Sequence, residues 1–420
     1  MRHNLIQKIL QAHCKEEVRE PGQIVQCKVS TVLANDITAP LSIRALEKMG
    51  AKKVFDPEKV ILVCDHFTPN KDIDSAEQVK RVREFARKFD ILHYYEGGDA
   101  GVEHALLPEQ GLVGPGDIVV GADSHTCTYG ALGAFATGMG STDVAATMAL
   151  GETWFKVPPV IKIVLNGYLS ENVGGKDIIL NLIGRIGVDG ALYKALEFAG
   201  DGLAGLDVES RLTISNMAIE AGGKAGIFPA EEVVNSYLQA TNRQEVNKLF
   251  PDPGCYYEQE LSLDLQDLSP QVACPHLPEN VRPVRELEAL YLDQVVIGSC
   301  TNGRISDLRK AAQILKGKRV AKGLRLIILP ATPYIYSQAL QEGLLEIFLD
   351  SGATVGPPTC GPCLGGHMGI LASGERCLAT TNRNFKGRMG SLESEVYLSG
   401  PEVAAASAVT GKISHPEELV

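Results

Sequence analysis

Short, unbroken apolar runs recur along the chain. They are Val60-Ile61-Leu62-Val63, Ile118-Val119-Val120, Val160-Ile161-Lys162-Ile163-Val164-Leu165, Val295-Val296-Ile297 and Leu326-Ile327-Ile328-Leu329. Runs of strand length with few polar alternations are the signature of strands covered on both faces, as in parallel sheets. Between them, apolar positions repeat at helical spacing, as over 75–88 and 307–315. This alternation predicts α/β layers with parallel sheets. A short amphipathic helix is predicted at the N-terminus. A second is predicted over 141–150, with Ser141-Thr142-Asp143 as its N-cap. A last one begins at Pro401 and stops at Gly411, with proline in the first turn and glycine past the end. Residues 171–228 read as mostly helical and glycine-punctuated. After a helix over 230–241, the chain up to about residue 290 reads as a proline-rich, acidic connection, with His276 a loop histidine rather than a ligand.

Three of the apolar runs end in residues capable of chemistry. The first leads into Cys64-Asp65-His66, the second into Gly121-Ala122-Asp123-Ser124-His125, and the fourth into Gly298-Ser299-Cys300. Ligands in open α/β sheets bind beyond the carboxyl ends of the strands, so polar chemistry stands where such a fold places its sites. The glycine-rich stretch from Gly130 to Gly140 matches neither G-x-G-x-x-G nor the P-loop with its lysine, and close backbone packing is the favoured reading. Asn216 and Glu220, four apart among Met217, Ala218 and Ile219, would share a helix face. They make either a solvated stripe or an inward carboxylate. Arg383 and Arg388 lie in a polar loop, where they are either surface arginines or a bidentate clamp for carboxylates.

Composition narrows the classes. A chain of 420 residues suggests two or three domains. Its net charge of −11 and its lack of Lys/Arg runs argue against nucleic acid or an anionic membrane as the main partner. No run approaches the ~18 apolar residues of a membrane span, and the N-terminus has no apolar core of signal-peptide length. Ten cysteines without a secretory signal suggest a reducing, cytoplasmic compartment, with thiols free or metal-bound.

Cys360-Gly361-Pro362-Cys363 sets two thiols at i and i+3 on a Gly/Pro turn, and Cys300 adds a third at a strand end. Alone, the C-x-x-C pair fits a redox dithiol, half a zinc site or chance. Three apolar buried thiols are the bland alternative. A closed structural zinc site wants four ligands, whereas an iron–sulfur cube on three cysteines keeps one iron open for Lewis-acid work.

Taken in order, Asp65-His66, Gly121-Ala122-Asp123-Ser124-His125-Thr126, Gly298-Ser299-Cys300-Thr301-Asn302, Cys360-Gly361-Pro362-Cys363 and Asn382-Arg383-Asn384-Phe385-Lys386-Gly387-Arg388 resemble the aconitase superfamily of iron–sulfur hydro-lyases. The likeness covers essentially the whole chain and is nearest to the branch with separate large and small subunits. It implies three α/β/α domains with parallel-rich sheets around a shared cluster site, without the fourth, swivelling domain. The expected divisions are 1–160, 161–284 and 285–420.

The same resemblance implies that Cys300, Cys360 and Cys363 hold a 4Fe–4S cluster. It implies that Asp65 orients His66, that Asp123 pairs with His104 and that Glu220 pairs with His125. His66 would donate the proton to the leaving hydroxyl. Asn35, Ser124, Asn216, Arg383 and Arg388 would position a small di- or tricarboxylate, together with Asp123. Asn35 stands where aconitase proper has a longer amide. Cys64, Cys127 and Cys377 match no ligand and read as structural thiols. The swivelling domain that carries the serine base is expected on a separate small subunit. The substrate so implied is 2-isopropylmalate, isomerised to 3-isopropylmalate for leucine synthesis. Homoaconitate and methyl-substituted malates are the rivals, and an RNA-binding or zinc-stabilised subunit is the alternative from another class.

Overall fold

The computed structural model describes residues 2–241, 243, 247–287 and 289–419. The chain forms two compact units: Met1–Gly97 with Leu106–Asn166 and Ala191–Leu263, and Gly98–Ala105 with Gly167–Gly190 and Asp264–Val420.

The first unit is built on a five-stranded parallel sheet. Its spatial order is His93–Tyr95, Val60–Val63, Thr31–Asn35, Ile118–Gly121, Phe135–Gly138. The predicted runs are buried along their whole length, because helices cover both faces. Register sets Asn35 beside Val63 and Gly121 beside Gly138, so the segments carrying Asp65-His66 and Asp123-Ser124-His125 leave from one edge. The helix Ile73–Lys88 is fixed at its start by a capping box. Asp72 accepts from Ser75 N at 2.8 Å, and Ser75 Oγ accepts from Asp72 N at 3.1 Å. The same unit holds a four-stranded sheet in which Val160–Asn166 pairs in parallel with Ala195–Ala199.

The second unit has a seven-stranded mixed sheet. From its centre out to one edge, Arg376–Ala379, Gln294–Ile297, Arg325–Ile328 and Thr354–Val355 run parallel. Leu326, Ile328, Leu378 and Val295 pack there against the helices Ile305–Leu315 and Pro401–Thr410. The latter helix starts with Pro401 and ends at Gly411 in the left-handed region, as its sequence predicts. Ile297, Ala379 and Val355 all end near one edge, and beyond them come Cys300, Asn382 and the Cys360/Cys363 turn.

Three local expectations need refinement. Residues 171–228 hold the helical stretches Gly175–Ile186, Asp201–Gly205, Val208–Asn216 and Met217–Ala221, but the strands Ala195–Ala199 and Ala225–Ile227 interrupt them. The sequence disguises the first of these because Glu197 sits at its centre. The stretch after residue 241 is more than a connection. Gln259–Asp264, Gln271–Ala273 and Val281–Pro283 are strands, the first largely exposed and therefore without an apolar run. The helix Ser141–Leu150 is capped by Gly140, with no side-chain cap bond. Glycine-rich packing is realised at Gly130, where a Cβ would fall 1.9 Å from Gly226 O. Among the described residues no helix is long and apolar enough to cross a membrane.

Candidate active site

In the first unit, His66 comes just after the strand Val60–Val63 and is held by two buried carboxylates. Its Nδ1 lies 2.7 Å from Asp65 Oδ1 and 3.3 Å from Asp36 Oδ1. A carboxylate only accepts, so Nδ1 carries a proton. Asp36 also accepts from His66 N at 3.1 Å and Phe67 N at 2.8 Å, fixing the backbone that presents the ring. Burial by itself disfavours the imidazolium. The charge of Asp65 and the hydrogen bonds of Asp36 and Asp65 overcome it, and the His66 pKa stands well above its ordinary value. The two carboxylates therefore favour the imidazolium form of His66.

A second histidine is organised alike. His125 Nε2 lies 2.8 Å from Glu220 Oε1, and both residues are nearly buried. Asp123 caps the 3₁₀ run Ser124–Leu132 by accepting from His125 N at 2.7 Å. Asn216, fully buried, donates to Thr128 Oγ1 at 2.8 Å, and Thr128 in turn donates to His125 O at 2.6 Å. Asn216 closes the helix Val208–Asn216 and Glu220 sits in the next 3₁₀ turn, so the shared helix face is a helix end plus a turn. The polar pair points inward, which decides against a solvated stripe. Ser124 lines a cavity of about 460 Å³ with Met139, Ile219, Trp154, Tyr193 and Lys224. Asn35 is buried at the end of its strand. Its Oδ1 accepts from Ile37 N, Thr38 N and Thr38 Oγ1 at 3.0–3.1 Å, shaping the turn that leads to Asp36.

The second unit contains the other predicted residues. His104 stands at the start of the helix Glu103–Glu109, nearly buried, with Nε2 3.6 Å from Glu103 Oε1 and its carbonyl accepting from Arg304 at 3.4 Å. Cys300, Cys360 and Cys363 are buried at 5%, 7% and 2% exposure, and none is in a disulfide. Cys300 is delivered by a tight turn. Gly298 has φ +151° and Ser299 φ +70°, a left-handed conformation that costs a non-glycine residue about 1 kcal/mol. Cys360 and Cys363 close their own turn, with Cys363 N donating to Cys360 O at 3.4 Å. Gly361 is left-handed there, and any Cβ would fall 2.3 Å from Leu329 Cδ1.

Two of the three sulfurs share one side chain. Asn382 Nδ2 donates to Cys300 Sγ at 3.2 Å, and its Oδ1 lies 3.5 Å from Cys363 Sγ. Arg388 Nη2 lies 3.8 Å from Cys363 Sγ, while Arg383 is half-buried in the same loop. Three buried soft donors with amide and guanidinium hydrogen bonds to sulfur fit an iron–sulfur cluster by donor chemistry. Elsewhere in the chain, burial pushes the Cys377 thiol up to about 12 and raises Cys64 strongly, which disfavours a reactive thiolate at either.

Sequence alone did not mark Asp36 or Asn382 as site residues. Asp36 is adjacent to Asn35 and Asn382 lies within the Asn-Arg-Asn motif, so both had a positional signal.

Residues 7–290 and 285–411 match the aconitase family (aconitate hydratase). The chain is 67% identical to the 3-isopropylmalate dehydratase large subunit of Nitratidesulfovibrio vulgaris Miyazaki F, over all of both chains. It is 61% identical to the 3-isopropylmalate dehydratase large subunit of Moorella thermoacetica, over 99% of each. The crystal structure of Thermococcus kodakaraensis aconitase X in its holo-form is similar over 85% of this chain and 84% of that one, with TM-score 0.49 and 15% identity. With nearly its whole length matched, the chain belongs to the aconitase family, whose enzymes bind an iron–sulfur cluster.

Proposed function

We propose that this chain is the large subunit of a 3-isopropylmalate dehydratase, a hydro-lyase that interconverts 2-isopropylmalate and 3-isopropylmalate by dehydration and rehydration in leucine biosynthesis. The observation that carries the reading is the Asn382 carboxamide set against Cys300 and Cys363, two of three buried cysteines at strand and turn ends. Cys300, Cys360 and Cys363 would hold a 4Fe–4S cluster, which when bound supplies a Lewis acid toward the substrate hydroxyl.

The chain's own side chains do the rest. His66 gives its Nε2 proton to the departing hydroxyl. Asp65 keeps the ring oriented and charged, which matches the acid to neutral pH. Glu220 holds His125 through Nε2. Asp123 and His104 complete the acid–base residues. Arg383 and Arg388 neutralise substrate carboxylates, and so stabilise the carbanion formed on loss of the alpha proton. Asn35, Ser124 and Asn216 hold backbone and substrate in register. The relatives are named large subunits, which supports a separate small subunit that completes the enzyme. None of the ten cysteines forms a disulfide, which supports a cytoplasmic location.

The test is anaerobic co-purification with candidate small subunits, followed by assay on 2-isopropylmalate, homoaconitate and a methyl-substituted malate. Turnover greatest with isopropylmalate is expected. A loaded complex that turns over none of the three would end the reading.

A further inference from the structure

Lys176 is the second residue of the helix Gly175–Ile186 and is 1% exposed. A lysine in a first helical turn normally reaches solvent. Here Nζ donates to Thr380 O at 2.8 Å, Thr381 O at 2.5 Å and Asn302 Oδ1 at 3.4 Å. All three are neutral oxygens. The nearby carboxylates are committed elsewhere. Asp177 accepts from Gly174 N and Gln271 N, and Asp307 accepts from Asn302 Nδ2 and Arg304 N. Glu402 pairs with Lys310 at 2.9 Å. A buried ammonium hydrogen-bonded only to neutral groups is costly unless a counter-charge stands close by.

The bonds of Lys176 lead toward the cysteine-bearing segments. Thr380 and Thr381 lead directly into Asn382, the side chain between Cys300 and Cys363. Asn302 is two residues after Cys300, and Thr301 Oγ1 also donates to Thr380 O, at 2.5 Å. One ammonium thus ties the segment presenting Cys300 to the segment presenting Asn382. Burial pushes the Lys176 pKa down to about 7, and the charges that oppose this fall and favour the ammonium are those of Cys300, Asp307, Cys363 and Asp177.

We propose that Lys176 is a positioning residue for the cluster: a buried counter-cation that braces the Cys300 and Asn382 segments and offsets the negative charge of the thiolates. This inference rests on the reading that the three cysteines hold an iron–sulfur cluster. It assigns Lys176 no contact with substrate. Nearby charge is one of the protein's levers on cluster potential, so removing the cation destabilises the reduced, more negative state.

The experiment compares the anaerobically loaded wild-type chain with Lys176→Gln, which keeps a hydrogen-bond donor but no charge. Iron and sulfide content, absorbance and an EPR-monitored redox titration are read for each. The expected result is a cluster still assembled in Lys176→Gln, a reduction potential displaced to more negative values, and faster iron loss on exposure to air. An unchanged potential in a loaded Lys176→Gln would reduce the lysine to a structural peg and overturn the proposal. If Lys176→Gln does not fold, Asn302→Asp sets a carboxylate against the same ammonium. The potential should move in the same direction, and an unmoved potential overturns the proposal equally. A wild-type chain that takes up no iron and sulfide at all would instead defeat the cluster reading itself.

Discussion

Asn382 Nδ2 donates to Cys300 Sγ across 3.2 Å while the other end of the same carboxamide lies against Cys363. Hydrogen bonds to ligand atoms orient them and tune their basicity, and losing one typically costs about ten- to a hundredfold in metal affinity. Asn382→Ala should therefore load less iron and sulfide and lose them faster, while the apo chain keeps its circular dichroism. Titration of loaded protein with a chelator measures this, and wild-type retention would show the contact to be incidental.

His66 should separate chemistry from assembly. Replacement by alanine is expected to leave iron and sulfide content intact and lower kcat by about a hundred- to ten-thousandfold, the usual range for a general acid. Its pKa is raised, so the acid form persists through neutral pH, and kcat should fall as pH rises through the raised value. Asp65→Asn removes the largest of the influences that raise it and should move that alkaline limb to lower pH. The pH profile of the assembled enzyme checks both.

Glu197 gives a pH dependence of stability that is independent of the cluster. It is buried in a strand, accepts from Leu5 N at 2.9 Å and from Tyr257, and burial pushes its carboxyl up to about 6. The folded state thus binds its proton more tightly than the unfolded chain does. The contribution is full below the ordinary value of 4.5 and is lost as pH rises to about 6. The size is on the order of 2 kcal/mol. Glu197→Gln should flatten the unfolding free energy across that window, as urea titrations at several pH values would show.

Gly130→Ala should destabilise the first unit, since the new Cβ would stand 1.9 Å from Gly226 O, a backbone atom that cannot turn aside. A loss of at least about 2 kcal/mol is expected. A chemical denaturation midpoint equal to that of the wild type would contradict it.

How far the sequence carries depends on what each feature spends its residues on. The central parallel strands were legible because both faces are buried, so Val60–Val63 and Gln294–Ile297 leave apolar runs with chemistry at their ends. Ala195–Ala199 was hidden because Glu197 interrupts it, a charge tolerated only through Leu5 and Tyr257 from distant sequence. Gln259–Asp264 was hidden because little of it is buried. Within the site, pairs such as Asp65 with His66 are local and carried by motif. Asp36 lies thirty residues from His66, and Lys176 more than two hundred from Thr380. Their roles come from the topology that folds those segments together, which no spacing rule encodes.

The central claim is that Cys300, Cys360 and Cys363 together hold an iron–sulfur cluster. Metal and acid-labile sulfide analysis of the anaerobically purified chain, beside Cys360→Ser, tests it most directly. The account predicts iron and sulfide in equal amounts in the wild type, with both, and the visible absorbance, gone in the variant. Zinc without sulfide in the wild type, or an unchanged cluster in Cys360→Ser, would contradict it.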